Sequence, residues 1–411
     1  MGRRKIFFEN RTQNFGLFYL FFGFVLIALC ALYMPEGQKT ALRFSSLGTL
    51  RLPAAPIFYL IGSLAMASGF SCIYFTGRLA RAHTFGMVIN TVLILATVLF
   101  WAGTVKRMDV VGLAAQSVRL ATPIGLGAMA GILCERCGVV NIAIEGMMLT
   151  AACVGFLISL YSQNLFVGLM GAVIAGGLMA ALHAVLSIHL MVDQIVSGTV
   201  INILAVGITG YIRRALLLDS PMEALGVLPS WKIPFLSDIP VLGKILFRHQ
   251  PMVYTMIVLV IVLHVVIFYT RWGLRSRTVG EHPRAADALG INVFRVRYTN
   301  VILGGMVAGL GGAWFSLETV GNFHEIMTGG KGFIALAAMI FGKWCPFGAM
   351  GGAMLFGFAD ALQIKLQILG VNIPYQILGM TPYLITMVVL AGVIGKAIAP
   401  AADGIPYDRE S

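Results

Sequence analysis

Apolar residues in this chain occur in long blocks that are separated by short polar stretches. Blocks long enough to cross a bilayer recur between residues 15 and 397, without a short alternation of apolar and polar positions. A transmembrane helix needs about 20 residues, whereas a barrel strand alternates over about 10. Open sheets are excluded from lipid because their edges leave backbone groups without hydrogen bonds. The pattern therefore predicts an all-α polytopic membrane protein.

These blocks predict about 9–12 transmembrane or half-membrane helices. They lie near 15–34, 54–75, 85–103, 112–133, 138–161, 166–190, 195–216, 251–270, 298–319, 332–343, 347–368 and 377–397. The block at 332–343 is too short to cross alone, and 138–161 and 195–216 carry polar residues near their beginnings. We therefore expect some of these segments to be half-helices or re-entrant segments.

Composition agrees with a membrane protein and argues against a nucleic-acid-binding one. Hydrophobic residues make up 58% of the 411 residues and charged residues 11%, with a mean hydropathy of +0.88. A soluble domain carries roughly 25% charged residues. The net charge of +12 comes from basic residues near the ends of apolar blocks, where such residues anchor helices and meet anionic lipid headgroups. Membrane lipids, and not nucleic acid, are the expected partners of this charge.

The N-terminal region predicts the orientation of the chain. Arg3, Arg4, Lys5 and Arg11 precede the first apolar block, which is long for a signal peptide and lacks a small-residue cleavage site. We expect a retained first span with a cytoplasmic N-terminus, because basic residues favour that side. Alternation of the spans then places 271–297 and the C-terminal tail, 398–411, in the cytoplasm as well.

A polar stretch at 275–298, RSRTVGEHPRAADALGINVFRVRY, interrupts the apolar blocks and predicts a short helix. Pro283 is favoured in a first helical turn because its missing N–H needs no partner there. The alanines that follow are strong helix formers, and Gly290 is able to take the left-handed conformation that ends a helix. A helix of about two turns is unstable unless something packs against it. The residues alone leave two possibilities open, a solvated connection between two spans and a docking element.

Four segments carry a resemblance to a known family. They are 135–149 (ERCGVVNIAIEGMML), 192–206 (VDQIVSGTVINILAV), 271–293 (RWGLRSRTVGEHPRAADALGINV) and 327–363 (MTGGKGFIALAAMIFGKWCPFGAMGGAMLFGFADALQ). In this order they resemble the permeases of ABC importers for branched-chain amino acids, simple sugars and nucleosides, and 327–363 looks most like the nucleoside branch.

The resemblance implies a domain organisation. It covers roughly 110–397, which would form the permease core, with a cytoplasmic coupling loop at 271–297. Residues 1–109 would be an N-terminal extension with about three extra transmembrane helices, and 398–411 a cytoplasmic tail.

The resemblance also implies a function, that of a plasma-membrane permease subunit of an ABC importer for nucleosides. The implied partners are an ATPase subunit that binds ATP and Mg, a second permease, which this branch favours as a different homologous chain, and an extracytoplasmic substrate-binding protein. The family's coupling helix, which docks in the ATPase, matches Gly280, Glu281, Pro283, Arg284, Ala286, Asp287 and Gly290.

The chain itself has no motif for ATP binding. A phosphate-binding loop needs GxxxxGK followed by Ser or Thr. Each Gly-Lys pair in the sequence is instead followed by another residue type, namely Ile245, Gly332, Trp344 or Ala397. We therefore expect a permease subunit that is not itself an enzyme and that holds no cofactor.

Polar and aromatic residues within the apolar blocks are candidates for the substrate pathway. Buried polar groups in a membrane are costly and often functional. An amide or carboxyl group there is able to hydrogen-bond a sugar hydroxyl or a base edge in transit. The candidates are Asn141, Glu145, Asn202, Phe323 and Phe333. For Asn141, Glu145 and Asn202 an equally weighted alternative is that each caps a broken helix or bonds a neighbouring span. That structural role is favoured for Gln194 and Asp360, and bilayer anchoring for the two phenylalanines.

Other residues with chemical potential are expected to pack. His183 and His264 lie alone on apolar blocks, and the six cysteines are mostly inside such blocks. Cys134 and Cys137 form a CxxC pair, but no second pair or nearby histidine completes a metal site. We predict packing roles for these residues and no metal.

Two other functions stay open at the level of the sequence. One is an ABC importer of the same kind that carries a simple sugar such as ribose. An ion-coupled secondary transporter is a rival of a different class, and it predicts a proton or ion site at Glu145 or Asp360. That rival leaves the polar stretch at 275–298 without a role.

Overall fold

The computed structural model describes most of the chain. Its described residues are 11–35, 37–44, 48–74, 107–218, 226–370 and 397–408, with 90, 93, 96–97, 99–104 and 379–380 between them. Much of the predicted spans 85–103 and 377–397 lies outside the described residues, as do the basic residues Arg3, Arg4 and Lys5 and the end of the tail, 409–411.

Helices dominate the described residues, which confirms the predicted all-α membrane class. Nine of the helices in this part of the chain are long and apolar enough to cross a membrane. The helices are α1 (Arg11–Tyr33), α2 (Ala54–Tyr74), α3 (Val110–Glu135), α4 (Ile144–Ser162), α5 (Leu165–Ala184), α6 (Gln194–Ile212), α7 (Leu242–Leu246), α8 (Pro251–Tyr269), α9 (Arg271–Glu281), α10 (Pro283–Ala288), α11 (Val293–Ala313), α12 (Lys331–Phe341) and α13 (Pro346–Ile368).

Capping residues set the ends of several spans. The side chains of Asn164, Asp193 and Asn292 accept hydrogen bonds from the first free N–H groups of α5, α6 and α11. Pro251 begins α8, where its missing N–H has no cost. Polar residues between the apolar blocks therefore fix the starts of α5, α6 and α11.

Three spans end in a π-helical turn. These turns are Val185–His189 after α5, Arg213–Leu217 after α6 and Trp314–Val320 after α11. The short apolar block predicted at 332–343 forms α12, whose 11 residues are too few to cross a bilayer. It joins α13 through a turn in which Lys343 and Trp344 have φ of 54° and 53°.

Short strands, which the sequence pattern did not predict, form two small sheets. One has the order β2–β1–β3, with β1 (Lys39–Arg43) antiparallel to β2 (Thr49–Pro53) and parallel to β3 (Met108–Asp109). The other pairs β4 (Trp231–Lys232) with β5 (Arg248–His249). Both sheets connect helices and lie outside the nine candidate spans.

The chain forms two compact units. One unit comprises Met1–Ala115, Asp238–Ile245 and Ala359–Lys396, and the other comprises Gln116–Ser237, Leu246–Phe358 and Ala397–Ser411. In the second unit α11 packs on α5 so closely that a Cβ on Gly176 would lie 2.3 Å from the carbonyl oxygen of Gly305. Such small residues let helix backbones approach each other in a membrane. This second unit holds two candidate sites, the coupling segment around α10 and the candidate pathway residues.

Candidate functional site

The predicted short helix at the polar stretch is present as α10. His282 has the non-helical angles φ −143° and ψ 80°, so α9 ends at Glu281. Pro283 follows as the first residue of α10. At the other end Gly290 has φ +81° and its N–H donates to the carbonyl oxygen of Asp287 at 2.9 Å. The N–H of Ile291 reaches back to the carbonyl oxygen of Ala286 at 3.0 Å, which closes the helix in a left-handed cap.

The two faces of α10 have different environments. Ala286 is fully buried and belongs to a small apolar cluster with Val279, Val293 and Tyr407. Arg284, Ala285 and Leu289 face outward, and the side chain of Leu289 is 79% exposed. Ala286, which the family resemblance places in the coupling helix, therefore anchors α10 on its own subunit.

Gly280 and Glu281 also contact their own chain. A Cβ on Gly280 would lie 2.3 Å from the carbonyl oxygen of Arg136, so a larger residue would push α9 away from the connection between α3 and α4. The carboxylate of Glu281 accepts a hydrogen bond from the N–H of Ala401 at 3.1 Å. Both residues position α10 relative to the membrane spans.

The C-terminal tail, which sequence reasoning treated as a plain cytoplasmic tail, packs on this site. The N–H of Ala402 donates to the carbonyl oxygen of Gly280 at 2.9 Å. Arg297, buried in α11, donates from Nη1 to the carbonyl oxygen of Ile405 at 3.1 Å. We call residues 397–408 the C-terminal strap. The only signal for it in the sequence was the mixture of Ile405, Pro406 and Tyr407 within the tail.

A pair of arginines lies against the ring of Phe268 at the end of α8. The guanidinium groups of Arg136 and Arg277 lie 5.5 and 5.2 Å from the centre of the Phe268 ring. Burial lowers the pKa of Arg136, and the like charge of Arg277 lowers it further. Arg136 also donates from Nε to the carbonyl oxygen of Trp344 at 3.0 Å. It therefore joins the α3–α4 connection to the turn between α12 and α13.

Glu145, a candidate pathway residue, caps a half-helix. Its Oε1 accepts from the hydroxyl of Thr328 at 2.6 Å and from the N–H of Gly330 at 2.8 Å, and its Oε2 accepts from the N–H of Gly332 at 2.6 Å. These donors lie at the N-terminus of α12, where unpaired N–H groups and the helix dipole favour an anion. The geometry is that of the capping alternative, and substrate contact at Glu145 stays a prediction.

Asn202 and Asn141 lie close to the beginning of α4. Asn202 accepts from the N–H of Gly146 at 2.7 Å and donates to the carbonyl oxygen of Ile142 at 3.0 Å. Asn141 donates weakly to the sulfur of Cys134 at 3.3 Å, whereas its buried Oδ1 has no partner among the described residues. Asn202 thus bonds a neighbouring segment, and Asn141 keeps one acceptor available.

His183 and Gln194 belong to the same connection. The ring of His183 is hydrogen-bonded on both sides, with Nδ1 3.0 Å from the hydroxyl of Ser197 and Nε2 3.0 Å from the carbonyl oxygen of Val140. Gln194 accepts from the N–H of Val140 at 2.6 Å. These contacts confirm the predicted packing role of His183 and the structural role of Gln194, and they tie α5 and α6 to the segment before α4.

The two candidate aromatic residues have different exposures. The side chain of Phe323 is 2% exposed, whereas that of Phe333 on α12 is 48% exposed. Only Phe333 therefore presents a ring surface for stacking in this structure. Substrate contact at either residue stays a prediction.

Glu318 is a buried carboxylate that sequence reasoning missed. It lies on the π-helical turn after α11, its Oε2 accepts from the N–H of Met252 at 2.8 Å, and its side chain is 1% exposed. Met252 is in the first turn of α8, so Glu318 caps that span as Glu145 caps α12. An acidic residue inside the apolar block 298–319 was the signal for it in the sequence.

The thiols of Cys134 and Cys137, the ring of His264 and the carboxyl of Asp360 are buried or half-buried. Cys134 and Cys137 are buried free thiols, and burial raises the pKa of Cys137 to about 12. His264 packs against the ring of Phe347 at 4.6 Å, as predicted for a packing residue. Asp360 lies half-buried on α13. Among the described residues no cluster of His, Cys, Asp and Glu is arranged to hold a metal ion.

Comparison with known protein families matches the sequence of this chain to a permease family. The profile of the branched-chain amino acid transport system permease component matches residues 113–394. The chain belongs to this family. No solved structure matches it.

Relatives of this permease include transporter subunits from two bacteria. It is 41% identical over 297 residues to the nucleoside ABC transporter permease protein NupC of Lactococcus lactis, covering 70% of this chain and 93% of the relative. It is 42% identical over 300 residues to the guanosine ABC transporter permease protein NupQ of Bacillus subtilis, with the same shares. The B. subtilis protein NupP, also a guanosine ABC transporter permease protein, is 26% identical over 273 residues, or 62% of this chain and 74% of NupP.

Proposed function

We propose that this chain is the transmembrane permease subunit of an ATP-binding cassette importer for nucleosides. Membership of the permease family supports the transport role. The identities of 41% and 42% to nucleoside and guanosine permeases support the substrate class. An ion-coupled secondary transporter is not favoured, because the relatives are ABC transporter permeases.

The observation that carries this proposal is the geometry of α10. This six-residue helix lies between two spans, α8 and α11, and is capped at its C-terminal end by Gly290. An isolated helix of this length is unstable in water and needs packing contacts. Its buried side is at Ala286, and its exposed side ends at Leu289. The buried side has these contacts within the chain. The exposed side supports docking of a separate ATPase.

The energy source and the other subunits would be partners of this chain. Its sequence contains no phosphate-binding loop, so ATP and Mg would be bound by the ATPase subunit. An extracytoplasmic binding protein would deliver the substrate. The presence of two different guanosine permease proteins among the B. subtilis relatives, at 42% and 26% identity, supports a second permease that is a different homologous chain.

The proposed orientation follows from the coupling role of α10. Three segments contact one another and therefore lie at the same end of their unit. They are the C-terminal strap, the α9–α10 segment and the α3–α4 connection that contains Arg136. If α10 contacts a cytoplasmic ATPase, this end is cytoplasmic, and so is the C-terminus. The N-terminus would be cytoplasmic as well, as its basic residues favour.

The substrate pathway is proposed to pass the segment before α4 and the beginning of α12. Asn141, Glu145, Asn202, Phe323 and Phe333 remain the candidate contacts. Asn141 is the first to test, because its buried Oδ1 lacks a partner among the described residues. A free amide oxygen accepts hydrogen bonds from ribose hydroxyls or base N–H groups.

Transport by the reconstituted complex tests the proposed function. The chain is purified with the ATPase and second permease that accompany it and is placed in liposomes with the binding protein. We expect ATP-dependent accumulation of labelled guanosine or other nucleosides, but not of labelled ribose. Accumulation of ribose alone would replace nucleosides by a simple sugar. Uptake that needs an ion gradient and no ATP would reject the ABC assignment.

A further inference from the structure

A groove of about 540 Å³ lies on the exposed side of α10. One wall is the chain from Glu281 to Ala285, at the beginning of α10. The other wall is formed by Ala401–Ala402 and by Ile405–Asp408 of the C-terminal strap. The groove therefore shares one wall with the proposed coupling helix.

Hydrogen bonds hold the strap wall on α9 and α11. Its N–H groups at Ala401 and Ala402 donate to Glu281 and to the carbonyl oxygen of Gly280. The carbonyl oxygen of Ile405 accepts from Arg297, whose side chain is buried in α11. Release of the strap would take away the acceptor of a buried guanidinium, which is a costly change. These contacts keep the strap wall of the groove in place.

Tyr407 of the strap packs against α10 through a shared apolar cluster. Its side chain is buried, its ring lies 5.7 Å from that of Phe294, and it shares an apolar cluster with Ala286 of α10. The strap and α10 therefore pack against the same apolar cluster.

One exposed apolar side chain, Ile405, lines this groove, and another, Leu289, lies at the opposite end of α10. Leu289, just after α10, is 79% exposed, and Ile405 on the strap is 55% exposed. Both lie at the end of the unit that is proposed to face the cytoplasm, where such side chains gain free energy when a partner covers them. Mixed charges line the same groove, with Glu281 and Arg284 on one wall and Asp408 on the other.

We propose that the ATPase subunit docks on α10 and the C-terminal strap together, and that it covers both Leu289 and Ile405. This inference rests on the proposed function, because it assumes that α10 contacts an ATPase. Continuity of the groove with α10 favours this occupant, since a domain that covers the exposed side of a six-residue helix also covers the groove beside it.

Binding of a purified ATPase to strap variants tests the proposal. The probe is the ATPase that co-purifies with the wild-type chain, identified by its phosphate-binding motif and then produced separately with a tag. Ile405→Glu puts a charge into the groove and should weaken binding more than about tenfold, as expected for an interface anchor. Leu289→Glu should weaken binding similarly.

Ile398→Glu is the matched control, because Ile398 is 84% exposed on the same strap but does not line the groove. Its affinity should stay within about twofold of the wild type, well below the effect of a hot-spot residue. Equal binding by Ile405→Glu and the wild type, with weakened binding by Leu289→Glu, would overturn the strap proposal and leave the proposed function intact. A wild-type chain that binds no ATPase would instead reject the proposed function.

Photo-crosslinking gives a second measurement that does not depend on the stability of a charged variant. A photoreactive phenylalanine derivative replaces Ile405, Leu289 or Ile398 in separate samples of the assembled complex. We expect adducts with the ATPase from positions 405 and 289 and none from 398. An adduct from 289 without one from 405 would contradict docking on the strap.

Discussion

Single polar residues within the membrane unit stabilise its broken helices. Glu145 and Glu318 each place a carboxylate at the N-terminus of a helix far away in the sequence, α12 and α8 respectively. An anion at this position satisfies N–H groups that the helix cannot bond itself. In a lipid environment such unpaired groups cost several kcal/mol. Capping is therefore a sufficient reason for a carboxylate in an apolar block.

Glu145→Gln should destabilise the folded subunit. The amide retains one acceptor oxygen but turns an NH₂ group toward the N–H donors of α12, so at least one buried hydrogen bond is lost. Such a loss costs about 1–3 kcal/mol, and the midpoint of thermal unfolding in detergent should fall.

Glu325→Gln is the control for the change of charge. Glu325 forms a partly exposed ion pair with Arg213 at 3.3 Å, and exposed pairs contribute roughly 0–1 kcal/mol. Its midpoint should stay close to that of the wild type. If both variants lowered the midpoint equally, the capping role of Glu145 would be wrong.

At the scale of elements, local chemistry determines α10. Pro283 and Gly290 were predicted to begin and end the helix, and both do so, with Pro283 in the first turn and Gly290 at φ +81°. Side chains at positive φ clash with their own backbone, so glycine is favoured there for a reason that no tertiary contact changes. Signals of this kind are visible in the sequence because they act over a few residues.

Gly290→Val should reduce coupling while the protein still inserts into the membrane. No described atom lies within 4 Å of a Cβ at this position, so the penalty is confined to the backbone. It amounts to roughly 1–2 kcal/mol for a left-handed residue. Nucleoside-stimulated ATPase activity of the reconstituted complex should fall, with an unchanged amount of subunit in the membrane.

Gly290→Asn provides the conservative comparison, because asparagine tolerates the left-handed region better than other residues. It should retain most of the stimulated activity. Full activity of Gly290→Val would show that the cap of α10 does not take part in coupling.

At the scale of the whole molecule, the strap closes the chain onto the core. Asp403 on the strap lies near Glu135 at the end of α3, and burial raises the pKa of Asp403 to about 7. Two carboxyl groups in contact need a shared proton to avoid repulsion. Arg297, Cys137 and Cys134 are the other ionisable groups that interact with Asp403 among the described residues. The docking of the strap is thereby linked to pH.

Strap docking should weaken as the pH rises toward 7. In the released strap the carboxyl of Asp403 would have its ordinary pKa near 4, so the docked state binds a proton that the released state loses. The stabilisation is greatest at acidic pH, and it declines between about pH 4 and the docked pKa of about 7. Hydrogen exchange of the Ala401 and Ala402 amides, corrected for intrinsic rates, should report this decline.

Two variants check the assignment to Asp403. Asp403→Asn removes one carboxyl of the coupled pair, and protection of the strap should then vary much less over this range, because only Glu135 still titrates there. Asp408→Asn changes an exposed carboxyl on the same strap and should preserve the variation. A pH dependence that is undiminished in Asp403→Asn would assign the effect to another group.

The sequence by itself determined the membrane class, the approximate bounds of most spans and the short helix α10. Each of these depends on the length of an apolar block or on the backbone preference of one residue, which are properties of neighbouring positions. Only the tertiary structure decided the partners of Glu145, Glu318 and the strap. Glu145 and Gly332 are 187 residues apart in the chain, as are many pairs that only folding brings into contact. A carboxylate that caps a distant helix and one that awaits a substrate look the same in a sequence, because the difference lies in which N–H groups surround them.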